Sequence, residues 1–407
     1  MCLLAGCFDG GTIATCAITC SVDQDCPDGL ACSPEGRCSE QGEVCTCDAN
    51  TFLRCNSTTS AQLCVADGSH SEGVDCVTSC IDNLEGPHCS HVVPQFVPAV
   101  CDLPAVEPER TIAGTVSTDD NATCSEVISQ GSDEPELCVM HAGTLTIANP
   151  NLVGKRVPVF VADGDLTVER LFVFAVSSMP GAGASGRTRG GPPSSDFVLG
   201  GDGAAFIQIG GLGGRRLITP EPDPFPTTAF HGGNSAASEG AVLGGGAGGS
   251  TMVISCQGRV TVEGPIDAGG GGGTGGRGSI SAAGGGSGGR ILIEGMNVTI
   301  AVTGALWANG GGGGGGVSGG NGVSGGDALQ DNRASPGGGS GAVLGGDGGF
   351  LEIVPTGGGA GTVAGTQGGG GGSVGLIEIA VPNGSLVGLE SSEVSPRPVV
   401  TMSLPVR

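Results

Sequence analysis

The 407-residue chain contains no tyrosine, one tryptophan (Trp307) and one lysine (Lys155), and only 3% of it is aromatic. A core built on ring packing is therefore excluded, and little remains for stacking on nucleic-acid bases. Basic residues are few, 16 against 40 acidic ones, giving a formal charge of −24. Such a surface repels phosphate backbones and anionic headgroups, which excludes nucleic acid as a partner. No run approaches the ~20 apolar residues of a membrane-spanning helix. Beyond Thr111 no stretch carries a helical period either.

What the chain does contain is glycine, 84 residues of it. Its Val, Ile, Leu and Ala are gathered into β-branched runs instead of being diluted, which separates it from a disordered composition. The charge is uneven: residues 1–140 carry 22 acids and 3 arginines, residues 141–407 carry 18 acids and 13 bases. Cysteine is uneven too, with seventeen of 18 before residue 140 and Cys256 the exception. That density in a loop-rich segment points to disulfides and an oxidising compartment.

Near the start, Leu4-Ala5-Gly6-Cys7 resembles a bacterial lipobox. The resemblance implies a lipid on Cys7 and attachment to a membrane through it. A signal peptide has a basic region and about 7–15 apolar residues ahead of its cleavage site, whereas only six residues precede Cys7. The expectation is that residues 1–7 are the remnant of a longer signal whose start lies upstream.

Residues 8–90 read as a disulfide-rich module. Cys20, Cys26, Cys32 and Cys38 are evenly spaced in CSVDQDCPDGLACSPEGRC, with turn-forming Asp, Pro and Gly between them. This stretch resembles the small EGF-like or dickkopf-like knots of secreted proteins. With Cys7 lipidated, sixteen cysteines remain, an even number. Cys124 and Cys138, flanking the acidic SEVISQGSDEPEL, are the expected pair; connectivity among the others is open. A metal reading of His88, Cys89, His91, Cys76 and Cys80 is outweighed by oxidation. Asp23, Asp25 and Asp28 lack the twelve-residue calcium-loop pattern. Residues 91–110 are proline-rich and read as a stiff extended connector.

From residue 111 to 407 the period is two. GTLTI (143–147), DGDLTV (163–168), GRVTV (258–262) and MNVTI (296–300) each place a threonine between two aliphatics. A strand sends that pair inward and Thr146, Thr167, Thr261 and Thr299 outward, as a ladder. Later strands are each preceded by a glycine block, as in GGSGGRILIEG and GGDGGFLEIV. Repeated strand pairs that cannot bury their own apolar face bury it by stacking, which predicts an all-β, right-handed β-solenoid or β-helix. The glycine blocks read as tight corners using positive φ, with side-by-side polyglycine-II segments as the alternative and flexible linker as a third reading. Residues 310–340 read as the largest protruding loop.

A short Cys-rich module followed by "GGxGGxIxI…VTVxGxIxANGGGGG" repeats resembles a set of Gram-negative secreted or surface lipoproteins that share no established activity. The resemblance implies an address, the cell envelope, outer membrane or exterior, and a fold, but no chemistry. The residues agree. Acid–base hydrolysis needs two carboxylates about 5–10 Å apart, and among the candidates Asp163, Asp165, Asp267, Glu263 and Glu294 only Asp163 with Asp165 is a close pair, in a turn context. Asp267, Glu263 and Glu294 have no nucleophile beside them. A GGxGxDx calcium ladder fails because Arg290 and Phe350 stand where its aspartates belong. An ice-binding face is disfavoured by the single TxT pair, Thr144 and Thr146, and Trp307 and Phe350 read as packing residues. The expectation is a non-enzymatic structural or adhesive lipoprotein without catalytic residues, metal or cofactor, its partner an extracellular glycan or a surface protein. A polysaccharide-binding or polysaccharide-degrading β-helix is the alternative.

Overall fold

The computed structural model describes residues 20–33, 37–39, 52–64, 71–76, 79–83, 86–102, 105, 107–131, 133–189, 191–193, 199–215, 229–317, 320–339, 343–362, 366–382 and 385–407. Among them there is no α-helix; the helical content is two 3-10 turns, Asp23–Asp25 and Leu389–Ser391. The chain divides into two compact units, 1–90 and 91–407.

The first unit has little apolar material. Its strands are short antiparallel pairs: Ala31–Cys32 with Cys38–Ser39, Phe52–Ser57 with Ser60–Cys64 and Ser71–Asp75, and Cys80–Asn83 with Gly86–Cys89. Disulfides Cys20–Cys32, Cys26–Cys38, Cys55–Cys80 and Cys76–Cys89 cross-link these hairpins. Its buried core cluster is Ala61, Cys76 and Cys89, so covalent links carry what burial alone does not supply.

The second unit is organised by a 15-stranded, almost wholly parallel sheet that turns through three columns. Column one stacks Leu137–Ala142, Val157–Ala162, the first part of Ser250–Val262, the first part of Arg290–Ile300, Leu376–Ala380 and Val399–Thr401. Column two stacks Glu109–Ile112, the first part of Thr144–Val153, Leu166 to Val168, Val260 to Val262, Val298 with Thr299, and Leu386–Val387. Column three stacks Thr115–Ser117, Asn151 to Val153, Leu171 with Phe172, Pro265–Asp267, Ala305–Trp307 and Glu393–Ser395. Between the columns, Leu145, Ile147, Phe160, Val260, Ile293 and Val298 are fully buried members of one core. In column two the apolar–threonine alternation sorts residues by face, as period two requires.

From Leu137–Ala142 to Leu376–Ala380 column one is buried on both sides, so its strands read as continuous apolar runs such as VPVFVA; the last strand, Val399–Thr401, is exposed at both ends. The cover on its outer side is residues 91–102, the stretch read from the sequence as a connector. Val92 and Val97 pack with Val157, Val159, Met252 and Leu292. The Gln95 N–H donates to Glu294, and Cys101 is bonded to Cys256. The strap is not extended throughout, bending at 95–96 and turning at 98–102, and its valines decide that it packs. It belongs to the second unit.

The glycine blocks form a bundle of extended segments running out from the columns and back. Segment 282–290 shows the design. The N–H groups of Ala282, Gly285 and Gly288 donate to the carbonyls of Gln367, Gly370 and Ser373, while those of Ala283, Gly286 and Gly289 donate to Thr274, Gly271 and Ala268. Its own carbonyls accept from Gly201 and Ala204, from Gly311 and Gly314, and from Gly245 and Gly248, and the Ser287 N–H donates to Asn234. It is thus tied to segments 199–206, 229–237, 244–249, 267–276, 308–316 and 366–375. The threefold period of its donors is that of a polyproline-II-type helix, which has three residues per turn and no internal hydrogen bonds. None of Gly284, Gly285, Gly286, Gly288 and Gly289 has positive φ, so the corner reading is corrected. Glycine is required because a Cβ on Gly285 or Gly286 would fall onto the carbonyl oxygen of Gly311 or Gly246. Gly310 to Gly316 are buried inside this bundle, whereas exposure in 320–339 is concentrated at positions such as Gly320, Val323 and Arg333. The protruding-loop reading of 310–340 is therefore wrong for its first seven residues.

Candidate functional site

Column two presents the most regular surface of the second unit. The register places Thr111 opposite Thr146, Thr146 opposite Thr167, Thr167 opposite Thr261 and Thr261 opposite Thr299. The four threonines singled out from the sequence stand in one row, and Thr111 extends it. Each is at least partly exposed, while the aliphatics beside them are buried. Neighbouring strands are about 4.8 Å apart, so five hydroxyls span about 19 Å along the stack. The row ends at Val387, which is paired with Thr299 and 63% exposed. Arg259 and Asn297 are paired in the adjacent row.

Two grooves lie beside column three. One, of about 410 Å³, is lined by Asn149, Val153, Phe172, Phe174, Val176 and Met179 among others. Phe172 and Phe174 meet edge to face with centroids 5.4 Å apart, and the Arg170 guanidinium lies 5.7 Å from the Phe172 ring centre. The other, of about 580 Å³, is lined by Asn332, Glu352, Ile353, Leu389, Glu390 and Arg397 among others. Each groove has a wall made by a tight reversal of the same kind, Val176 with Met179 and Phe350 with Ile353, joined by reciprocal backbone hydrogen bonds. In each the second residue has positive φ, Ser177 at 48° and Leu351 at 48°. A bulky residue such as Leu351 is strained there; its N–H donates to Ser395 Oγ at 2.7 Å.

The acids weighed from the sequence occupy structural posts. Asp163 Oδ1 lies 2.7 Å from His141 Nε2, and its Oδ2 accepts the Ala105 N–H. Asp165 accepts the Arg259 N–H. Asp267 is buried in column three between Phe172 and Trp307, accepting from Gln330 and Gly269. Burial pushes its carboxyl up to about 6 against those two donors. Trp307 is itself buried. Phe350 supplies part of one reversal and is half-buried.

A charged cluster escaped the sequence reading. Arg290, following a glycine block and preceding ILI, is fully buried. Its Nε donates to Glu378 at 2.6 Å, and its guanidinium carbon lies 4.8 Å from the Phe96 ring centre and 4.5 Å from that of Phe230. Glu294, also fully buried, accepts the Gln95 N–H at 3.1 and 3.3 Å. Burial pushes Glu294 up to about 8; the neighbouring Glu378 adds to the rise, and the Gln95 N–H and Arg290 oppose it. With Glu294 protonated, one arginine faces one carboxylate and the cluster is neutral. The only signal in the sequence was a charge at strand positions facing aliphatic neighbours.

Among the described residues two sets of metal-ligating side chains converge, Cys20 with Cys26 and Cys38, and His141 with Asp163 and Cys256. All of their cysteines are in disulfides, Cys20–Cys32, Cys26–Cys38 and Cys101–Cys256. Cys124 and Cys138 are bonded to each other. Cys7 lies outside the described residues, and no helix among those described is long and apolar enough to cross a membrane. Compared with protein families, curated proteins and solved structures, the chain matches no family model, no curated protein and no solved structure.

Proposed function

We propose that this is a non-enzymatic structural or adhesive protein of the cell surface or exterior, whose second unit is a right-handed β-helix buttressed by a polyglycine-II bundle. Three successive parallel columns support the helical reading, and the strong bias of parallel crossover connections supplies its hand. The observation that carries the function is the threonine row: five hydroxyls in register on a face backed by a buried apolar core. Such a face meets an extended polymer of similar repeat without rearranging, so little ordering cost is added on contact. The engagement of Asp163, Asp165 and Asp267 in structural hydrogen bonds favours this reading over hydrolysis. In the same proposal the disulfide-rich unit is a protease-resistant stalk, and a lipid on Cys7 anchors it to the membrane.

The experiment is a glycan array followed by titration with the purified chain. An extended neutral polysaccharide should bind, and Thr167→Lys with Thr261→Lys should weaken it at least tenfold while circular dichroism stays unchanged. Binding that ignores the double substitution removes the threonine face from the proposal. Release of reducing ends from the polysaccharide would establish the alternative, a degrading enzyme.

A further inference from the structure

The strap over column one is fastened where three metal-ligating side chains, His141, Asp163 and Cys256, converge, and its own Cys101 is bonded to the last of them. His141 lies in column one opposite Val161, Asp163 follows the next strand, which ends at Ala162, and Cys256 follows Ser255, the partner of Ala162 one strand further on. Three successive strands therefore deliver an imidazole, a carboxylate and a sulfur to one end of column one, His141 two register positions ahead of Asp163 and Cys256. Their ligand atoms all lie within 4.8 Å of one another. The second sulfur, that of Cys101, arrives from the strap and is bonded to Cys256 at 2.04 Å. Cys256 is fully buried and Cys101 is 5% exposed. The Ala105 N–H holds Asp163 Oδ2 at 2.7 Å, the kind of supporting bond that orients a carboxylate ligand.

We propose that, once the Cys101–Cys256 disulfide is reduced, Cys101, Cys256, His141 and Asp163 bind a zinc ion. A dithiol supplies the two electrons: it becomes a disulfide as Cys101 and Cys256 become thiols. Zn²⁺ then displaces the two thiol protons and takes both thiolates, with His141 Nε2 and an Asp163 oxygen completing four ligands. Zinc–sulfur bonds of about 2.3 Å and zinc–nitrogen or zinc–oxygen bonds of about 2.1 Å put tetrahedral donor atoms roughly 3.5 Å apart. The ligand atoms of His141, Asp163 and Cys256, within 4.8 Å of one another, exceed that spacing by at most about 1.3 Å, and the two sulfurs separate into it when their bond is cut. Two thiolates and an imidazole select a thiophilic ion over calcium or magnesium. The strap is then fastened in either redox condition, by a covalent bond or by a metal, and the proposed binding face is untouched.

The test needs a chain whose other disulfides stay intact. Cys101→Ser leaves Cys256 as a thiol without any reductant. Co²⁺, used as a spectroscopic substitute for zinc, should bind it at one equivalent with a thiolate charge-transfer band and the visible bands of four-coordination, and Zn²⁺ should displace it. Cys101→Ser with His141→Ala should bind at least tenfold more weakly. No stoichiometric cobalt spectrum in a variant with native circular dichroism, or one unaffected by His141→Ala, overturns the proposal. Should Cys101→Ser not fold, Cys256→Ser, which leaves Cys101 as a thiol and the other disulfides intact, answers the same question: Zn²⁺ should slow iodoacetamide alkylation of Cys101 at least tenfold by peptide mapping. Equal rates with and without zinc overturn it.

Discussion

Replacing Gly286 by alanine should destabilise the second unit, although the same substitution in an open extended segment is usually favourable. The backbone at Gly286 has no positive φ, so alanine's conformation is permitted, and the lower entropy of the unfolded chain would add about 0.4–1 kcal/mol of stability. Against this, the new methyl carbon meets the carbonyl oxygen and carbon of Gly246 and the carbonyl of Gly245, all backbone. That neighbour cannot turn aside, because Gly246 donates to Ser177 and accepts from Gly271. Overpacking costs about 1–3 kcal/mol. Each backbone hydrogen bond lost as the segments part, Gly286 to Gly271 or Gly311 to Gly286, costs about 1 kcal/mol more. The net is a loss of about 2–4 kcal/mol. Gly320→Ala is the control: that glycine is exposed with nothing near its virtual Cβ, and its substitution should be neutral or slightly stabilising. Chemical denaturation of both variants measures the difference. If Gly286→Ala matches wild type within about 0.5 kcal/mol, the segments are not packed at backbone contact and the bundle as described is wrong.

Three further outcomes are expected. Glu294 has its pKa raised from 4.5 to about 8, so the folded chain holds a proton that the unfolded chain has lost in between. The stability this proton provides is complete below about pH 4.5 and is lost as pH rises through 8, on the order of 5 kcal/mol in all. Glu294→Gln should flatten the fall in melting temperature between pH 5 and 8.5, and parallel profiles would contradict the assignment. Cys101→Ser with Cys256→Ser opens a 155-residue separation and should lower stability by about 4–5 kcal/mol in guanidinium titration, about 2 kcal/mol more than Cys124→Ser with Cys138→Ser, whose separation is 14, would lose in loop entropy. Arg290→Met should cost about 3–5 kcal/mol, because Glu378 is left buried without its partner; the double variant with Glu378→Leu should recover much of that loss.

The sequence announced some of this and concealed the rest for identifiable reasons. Period two is a face code, so Val298-Thr299-Ile300 states which residue points out, and four such strands state that the threonines align. Glycine carries no such code. Without a Cβ, Gly284 to Gly289 could be read as corner, linker or packed segment, and only the partners 80 to 90 residues away in 366–375 distinguish them. Residues 91–102 were misread because proline declares an extended backbone and is silent about what covers it; Val92 and Val97 held the missing information. Cys256 stood out as isolated, but parity cannot choose a partner, and Cys101 had nothing in its own neighbourhood to mark it. Arg290 and Glu294 were hidden by the ordinary rule that charges face water.

The bundle's hydrogen bonds also set the order in which the chain can be built. Segment 282–290 takes bonds from Gly201 and Ala204, made much earlier, and gives them to Gln367, Gly370 and Ser373, made much later. Until residues 366–375 are synthesised, its donors at Ala282, Gly285 and Gly288 have only water. A chain with so many distant pairings closes slowly. The early rungs are complete templates long before the bundle can be, so assembly is expected to run along the columns first and to finish when the last glycine segment is drawn in among partners that are already waiting.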